Sequence, residues 1–240
     1  MRYWLVMPAA GTSQRFGGAQ RKQYALLAGS SVLSRSLQIF LADERCIGGA
    51  VALAAENLNE PEDKIPTGTR LLRVAGGARR CDSVLRGLES LAPQAGAEDW
   101  VLVHDAARPC LRRSDLDQLL AAGQRHPIGA LLAARVDDTI KQADLSAHDP
   151  QCERTIDRAV LWRALTPQMF RYAPLCAALR SAIDSGRAPS DEAQAFEWLG
   201  QRPLLVPAQF VNLKITTGED LLVAAALLAA REPRAVKEPA

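Results

Sequence analysis

The sequence predicts an α/β domain of the Rossmann-like kind, a single mostly parallel twisted sheet flanked by helices. Short apolar runs of strand length recur at residues 3–7, 49–54, 71–74, 100–104 and 130–134. Between several of them lie amphipathic stretches at helical spacing, the βαβ rhythm that lays strands parallel and covers both faces of the sheet. A third observation is bulk: 240 residues, 48% apolar and 23% charged, are enough for one sizeable core. No repeat or low-complexity linker divides them, so one domain is expected over residues 1–230, with 231–240 as a disordered tail.

In chain order, residues 3–7 form the first strand and run into a loop of small residues, 8–18. Val32, Leu33, Leu37, Phe40 and Leu41 recur at three- and four-residue intervals and predict the first helix. Strands at 49–54 and 71–74 follow. Val84, Leu85, Leu88 and Leu91 mark a second helix face, the strand at 100–104 ends beside Asp105, and Leu116, Leu119 and Leu120 mark a third helix before the strand at 130–134. Residues 136–165 break the pattern. Asp137, Asp138, Lys141, Asp144, Asp149, Glu153, Arg154, Asp157 and Arg158 crowd a stretch that buries little of its own, which predicts a protruding arm, lid or binding loop. Helical stretches at 175–183 and 191–199, a strand at 203–206, the segment 210–215, a polar break over 212–217 after an apolar strand, and a last helix from about Glu219 complete the domain.

Charge and hydropathy exclude several classes. Lys and Arg total 29 against 27 Asp and Glu, a net charge of +2, too balanced for a protein that coats nucleic acid. No apolar run approaches the length of a membrane span. Five cysteines without a C-x-x-C pair or a histidine at ligand spacing give neither a zinc site nor a disulfide framework, and predict a reducing, cytoplasmic setting. No acidic residue precedes Asp43, whereas Arg2, Arg15, Arg21, Lys22 and Arg35 do. Because a strand starts at residue 3, this basic segment reads as folded core and not as a cleaved leader.

The strongest chemical signal is the run Pro8-Ala9-Ala10-Gly11-Thr12-Ser13-Gln14-Arg15-Phe16-Gly17-Gly18, followed by Arg21-Lys22-Gln23-Tyr24. Small residues let backbone N–H groups approach a ligand closely, and Arg15 and Lys22 neutralise phosphate oxygens held there, so the loop suits a polyphosphate. It has neither the Walker spacing nor G-x-G-x-x-G. A surface loop with incidental basic residues is the competing reading, and it leaves the acid-free start unexplained. Asp105 falls where open α/β sheets bind ligands and suits Mg²⁺, which takes one or two carboxylates and fills its shell with phosphate oxygens and water. An aspartate that caps a turn or pairs with Arg108 is the alternative. Gly76-Gly77, then Arg80 and Ser83 at a helix start, give a second tight turn with a hydroxyl beside the helix N-terminus. A plain cap at Ser83 and a surface ion pair at Arg80 compete with that reading. His104 is expected as a hydrogen-bonded core residue, His126 and His148 as surface residues, and Trp4, Trp100, Trp162 and Trp198 as packing anchors.

The loop P-A-A-G-x-x-x-R with K-Q-Y downstream resembles the sugar-nucleotidyltransferase superfamily and, within it, the 2-C-methyl-D-erythritol 4-phosphate cytidylyltransferase family. Four further segments resemble that family in order and spacing: residues 76–84 (GGARRCDSV), 103–109 (VHDAARP), 138–141 with 155–158 (DTIK, TIDR), and 212–216 (NLKIT). The resemblance spans about residues 3–228. It implies an enzyme that joins CTP and 2-C-methyl-D-erythritol 4-phosphate to give 4-diphosphocytidyl-2-C-methyl-D-erythritol and pyrophosphate in the non-mevalonate isoprenoid pathway, with Mg²⁺ as cofactor. It also implies a homodimer in which the arm at 136–165 finishes the neighbour's substrate site, with no nucleic-acid or membrane partner. Arg15 and Lys22 are cast as transition-state stabilisers, and Arg158 and Lys214 as the groups that position methylerythritol phosphate. Ala9, Ala10, Gly11, Gly77, Arg80, Ser83, Asp105, Ala106, Arg108, Thr139 and Thr166 are cast as substrate-binding, with Asp105 also the candidate metal ligand.

Transfer at an α-phosphorus suits this set, because the attacking phosphate is already anionic and the barrier is largely charge repulsion and alignment. Three positions depart from the family pattern: Ser13 for a second glycine, Arg21 for a proline before Lys22, and Ala78 for an acidic or polar residue near the nucleotide. A cytidylyltransferase for another polyol phosphate such as ribitol 5-phosphate shares the nucleotide motifs. A non-catalytic nucleotide-sensing module keeps the glycine loop but has no use for Lys214 and Arg158. A Rossmann dehydrogenase is opposed by the missing fingerprint and the missing acidic residue after the second strand.

Overall fold

In a computed structural model of the chain, residues 1–12, 16, 21–62, 65–68, 70–146 and 148–231 are described. Seven strands make the main sheet: β1 (Tyr3–Ala9), β4 (Cys46–Leu53), β5 (Leu71–Ala75), β6 (Trp100–Val103), β7 (Gly129–Arg135), β10 (Trp162–Arg171) and β11 (Leu204–Pro207). Two small antiparallel pairs accompany them, β2 (Leu26–Leu27) with β3 (Ser30–Ser31), and β8 (Ile140–Asp144) with β9 (Gln151–Ile156). The helices are α1 (Val32–Leu41), α2 (Arg80–Ser90), α3 (Arg113–Gly123), α4 (Tyr172–Asp184), α5 (Glu192–Glu197) and α6 (Gly218–Ala229). The main sheet runs in the order β11-β7-β10-β6-β1-β4-β5. β10 is antiparallel to both β6 and β7, and the other pairings are parallel.

Alternation along β1 builds two layers at once. Tyr3, Leu5, Met7 and Ala9 pack with Leu33, Leu37 and Phe40 of α1 and Leu116, Leu119 and Leu120 of α3. Trp4 and Val6 face the other way, onto Val84 and Leu88 of α2, Leu175 and Leu179 of α4 and Phe196 of α5. Each such fully buried side chain stabilises the fold by about 1.5–3 kcal/mol before entropy. A third cluster joins Ala25, Leu27, Val32 and Cys110 to Ile215 and Ala224 of α6.

The chain leaves β1, adds β4 and β5 on one side, then returns to place β6 on the other. The carboxyl ends of β1 and β6 therefore border a switch point, where such sheets open a crevice. The loop after β1 and Asp105 after β6 meet there.

The predicted strands and helices are present, with corrections. The second predicted strand starts at Cys46 and not at 49: Gly48-Gly49 imitates a turn, yet it lies inside β4 because a Cβ on Gly49 would come 2.1 Å from the Leu5 carbonyl oxygen. The predicted arm 136–165 is too long at its end. Residues 162–165 begin β10, a main-sheet strand buried from Leu165 onward, while the β8–β9 hairpin and a 3₁₀ turn at Arg158–Val160 form the exposed excursion. The apolar strand expected before the polar break is β11, which ends at Pro207, so irregular chain extends over 208–217 and not only over 212–217. His126 is half-buried, its ring accepting the Ile128 N–H at 3.3 Å, and not simply at the surface. Trp198 is 37% exposed beneath Arg187 and is no core anchor. Of the expected tail, Arg231 donates to the Cys110 carbonyl at 2.7 Å, and 232–240 lie outside the described residues. Among the described residues, no helix is long and apolar enough to cross a membrane.

Candidate active site

Three carboxyl-end loops and the strap before α6 enclose a cavity of about 270 Å³. Its walls include Ala9, Ala10, Gly11 and Lys22 from the first loop, Gly77, Arg80 and Ser83 after β5, Asp105 and Ala106 after β6, and Lys214 from the strap. Ten of the residues singled out in the sequence thus converge on one space. Among the described lining residues, Lys22, Arg79, Arg80 and Lys214 stand against one carboxylate, Asp105.

The first loop is held from behind. Gln23, buried in the 3₁₀ turn Lys22–Tyr24, donates its side-chain amide to the carbonyls of Ala9 at 2.8 Å and Gly11 at 3.1 Å. Arg21 ion-pairs with Glu56, so the residue at the expected proline position anchors the loop's far side. Arg15 and Ser13 lie outside the described residues. Pro8 and Ala9 continue β1 and are strand, not loop.

The second loop packs on the first. A Cβ on Gly76 would lie 2.4 Å from the Ala10 Cβ, so only glycine lets the two loops touch. Ser83 does not cap α2. Its Oγ accepts the Gly77 N–H at 3.0 Å, while Asp82 accepts the Arg79 N–H at 3.0 Å and closes the helix start. Arg80 is no surface pair: its Nε meets Asp105 Oδ1 at 3.0 Å, and its two terminal nitrogens grip Glu192 at 2.7 and 3.1 Å.

Asp105 is the hub. Its second oxygen faces Lys214 Nζ at 2.9 Å and Arg108 Nε at 3.4 Å. Burial alone pushes its carboxyl upward, but the charges of Arg80, Lys214 and Arg108 outweigh that and hold it well below the usual carboxylate range. The strap carrying Lys214 is tied down by Ile215 N–H to the Ala107 carbonyl at 2.8 Å, and by Asp220, which accepts the N–H groups of Thr216 and Thr217 at 2.8 Å each.

Other expected site residues fall elsewhere. Arg108 is buried, bonded to Asp105 and, through a terminal nitrogen, to the Asn212 carbonyl at 2.8 Å. It lines a neighbouring cavity of about 450 Å³ with Arg163 and Lys214. Thr166 is 3% exposed, its Oγ accepting the Asp105 N–H at 3.1 Å and touching His104 Nδ1 at 3.0 Å, so its hydroxyl serves the protein interior. Thr139 and Arg158 sit exposed on the excursion and do not line the cavity, Arg158 bonding the Asp137 carbonyl. Sequence reasoning missed the bracing roles of Gln23 and Asn212, although they lie inside the K-Q-Y and N-L-K-I-T motifs, and missed Glu192 altogether.

Among the described residues no group of three or more His, Cys, Asp or Glu is arranged to hold a metal ion. Both Asp105 oxygens already have cationic partners, so a divalent ion ligated there has to displace Lys214 or Arg80. The described residues do not fit a protein-held metal, and Asp105, with both oxygens taken, is a poor ligand for one.

A cation-lined, small-residue crevice at the switch point of a doubly wound sheet, with one buried carboxylate binding its basic groups together, defines a nucleotidyltransferase. Within that class the chain belongs to the IspD family, 2-C-methyl-D-erythritol 4-phosphate cytidylyltransferase, whose model matches residues 3–230. It is 47% identical over 236 residues to the enzyme of that name from Acidithiobacillus ferrooxidans, covering 96% of this chain and 98% of that one. It is 45% identical over 221 residues to that from Ectopseudomonas mendocina, covering 92% and 93%. The crystal structure of Francisella tularensis 2-C-methyl-D-erythritol 4-phosphate cytidylyltransferase superposes with a TM-score of 0.80 at 28% identity, covering 95% of this chain and all of that one.

Proposed function

We propose that the chain joins CTP and 2-C-methyl-D-erythritol 4-phosphate, releasing pyrophosphate and 4-diphosphocytidyl-2-C-methyl-D-erythritol. The observation that carries this reading is the cavity in which Lys22, Arg80 and Lys214 surround small-residue loops at the carboxyl ends of β1, β5 and β6. A phosphate oxygen of the polyol attacks the α-phosphorus, a new P–O bond forms, and the bond to the β-phosphate oxygen breaks. Lys22 and the loop amides of residues 9–12 receive the triphosphate, with Arg15 as a second cation. Lys214, shared between the two adjoining cavities, and Arg108, in the second of them, hold the incoming phosphate. Both reactants are anionic, so what lowers the barrier is charge neutralisation and in-line alignment, without a strong base. Mg²⁺, were it bound with the nucleotide, would supply charge neutralisation at the triphosphate.

The chain acts as a homodimer in this reading, with Thr139 and Arg158 of the β8–β9 arm completing the neighbour's polyol-phosphate site. Five free cysteines suit a reducing, cytoplasmic setting. The test is pyrophosphate release from CTP, UTP, ATP and GTP, each with methylerythritol phosphate and with ribitol 5-phosphate, with and without Mg²⁺. Release is expected with CTP, methylerythritol phosphate and Mg²⁺ together. Preference for ribitol phosphate reassigns the second substrate, and CTP binding without release overturns the enzyme reading.

A further inference from the structure

Glu192 is fully buried at the first turn of α5, far in sequence from every motif of the site. A carboxylate out of water needs a strong partner, and this one grips the Arg80 guanidinium with both oxygens, at 2.7 and 3.1 Å. Its own position is set by β10. Gln168 accepts the Ala193 N–H at 2.9 Å and donates to Asp191 at 2.9 Å, and Asp191 caps the helix through the Gln194 N–H at 2.9 Å.

A guanidinium is planar and rigid, so holding two of its nitrogens fixes where the third points. In Arg80 the third is Nε, directed at Asp105 Oδ1 at 3.0 Å. The other Asp105 oxygen orients Lys214 at 2.9 Å. A chain of contacts therefore runs from Glu192 through Arg80 and Asp105 to Lys214, and its last three members line the cavity while Glu192 does not.

We infer that Glu192 is a positioning residue for the transfer reaction: through Arg80 it sets the direction of the Asp105 carboxylate, and so of Lys214, toward the polyol phosphate. The inference rests on the functional reading above and adds to it a buried residue that touches no substrate. A role confined to stability lowers the melting temperature and leaves the kinetics of the folded fraction intact. A positioning role changes the kinetics, because a small misplacement of aligned groups is costly in rate.

The experiment compares wild type, Glu192→Gln, Glu192→Asp, Asp105→Asn and the Glu192→Gln/Asp105→Asn double variant, measuring kcat, KM for each substrate and the melting temperature. Glu192→Asp keeps the charge but shortens the reach by one methylene, and decides the matter should Glu192→Gln not fold. Both single Glu192 variants are expected to lose kcat/KM for the polyol phosphate by about 10- to 100-fold, with a smaller rise in KM for CTP because Arg80 also borders the nucleotide's place. The double variant is expected to be no worse than Asp105→Asn, since Glu192 acts through that carboxylate. Wild-type kinetics in Glu192→Asp, or losses that multiply in the double variant, overturn the inference alone. An inactive wild type overturns the functional reading and takes the inference with it.

Discussion

At the scale of single residues, the site depends on side chains whose protonation is set by burial. The Arg108 carbonyl can only accept, so His104 Nε2 donates to it at 3.1 Å, and in the neutral ring Nδ1 takes the proton of Thr166, whose Oγ also accepts the Asp105 N–H. Burial keeps His104 neutral near pH 7, and the ring joins the backbone of the Asp105 turn to β10. Burial, only partly offset by the Asp105 charge, pulls its pKa from 6.5 down to about 4. A histidine depressed in this way favours the fold fully above its unfolded value of 6.5, and that contribution is lost as pH falls toward 4, where the unfolded chain binds the proton more readily. The loss amounts to about 3 kcal/mol across the window. Asp105, held low by its basic neighbours, acts only below the ordinary carboxylate range, and Glu192, raised by burial despite Arg80, acts in the opposite sense to His104. Melting temperature is expected to fall between pH 7.5 and 4.5. A His104→Asn variant is expected to be less stable at pH 7.5 but flatter across that window, and parallel curves for the two proteins would refute the assignment.

At the scale of elements, much was legible because the strands and helices that build the crevice carry strong periodicity. β1, β5, β6 and β7 are apolar runs, and α1, α2 and α3 show their buried faces directly. β10 was hidden for a physical reason. Its first three residues, half-buried Trp162 and exposed Arg163 and Ala164, continue the exposed arm before it, and Pro167 and Gln168 look like a strand's end. The proline is tolerated where the β10–β7 register shifts between Ala164 and Gln168, so no ladder donor is demanded of it. That oversight also hid the site's rear wall, because β10 supplies Thr166 to Asp105 and Gln168 to α5. Glu192 gave no signal, since an acidic residue in a first helical turn reads as a response to the helix dipole. The strap at 208–217 was placed by its motif alone. Contacts with the rest of the fold give it its shape, among them Ala208 N–H to the Ala133 carbonyl, Gln209 N–H to Asp115, Arg108 to the Asn212 carbonyl and Ile215 N–H to the Ala107 carbonyl.

At the scale of the molecule, the strand order decides where chemistry happens: the sheet is built outward in opposite senses from the parallel strands β1 and β6, which brings the first loop, Asp105 and Lys214 to one rim. The two-stranded arm leaves that rim and exposes Leu145 and Val160, at 73% and 75%, which accords with its proposed seat on a second copy. If Arg158 serves the neighbour's site while Lys22 serves its own, the Lys22→Ala and Arg158→Ala proteins are each expected to lose activity by about two orders of magnitude or more. Subunit exchange between them makes half of the dimers mixed, each with one intact site, so about a quarter of wild-type activity is expected to return. No recovery after demonstrated exchange would rule out a shared site.

The central claim is that this rim receives the triphosphate of a cytidine nucleotide. Its most direct test is a crystal structure of the full chain grown with CTP and Mg²⁺. The account predicts phosphate oxygens against Lys22 and the N–H groups of residues 9–12, and the base and ribose beside Gly77, Arg80 and Ser83. Nucleotide bound at another surface, with Lys22 turned away into solvent and the cavity between β1 and β6 vacant, would contradict it.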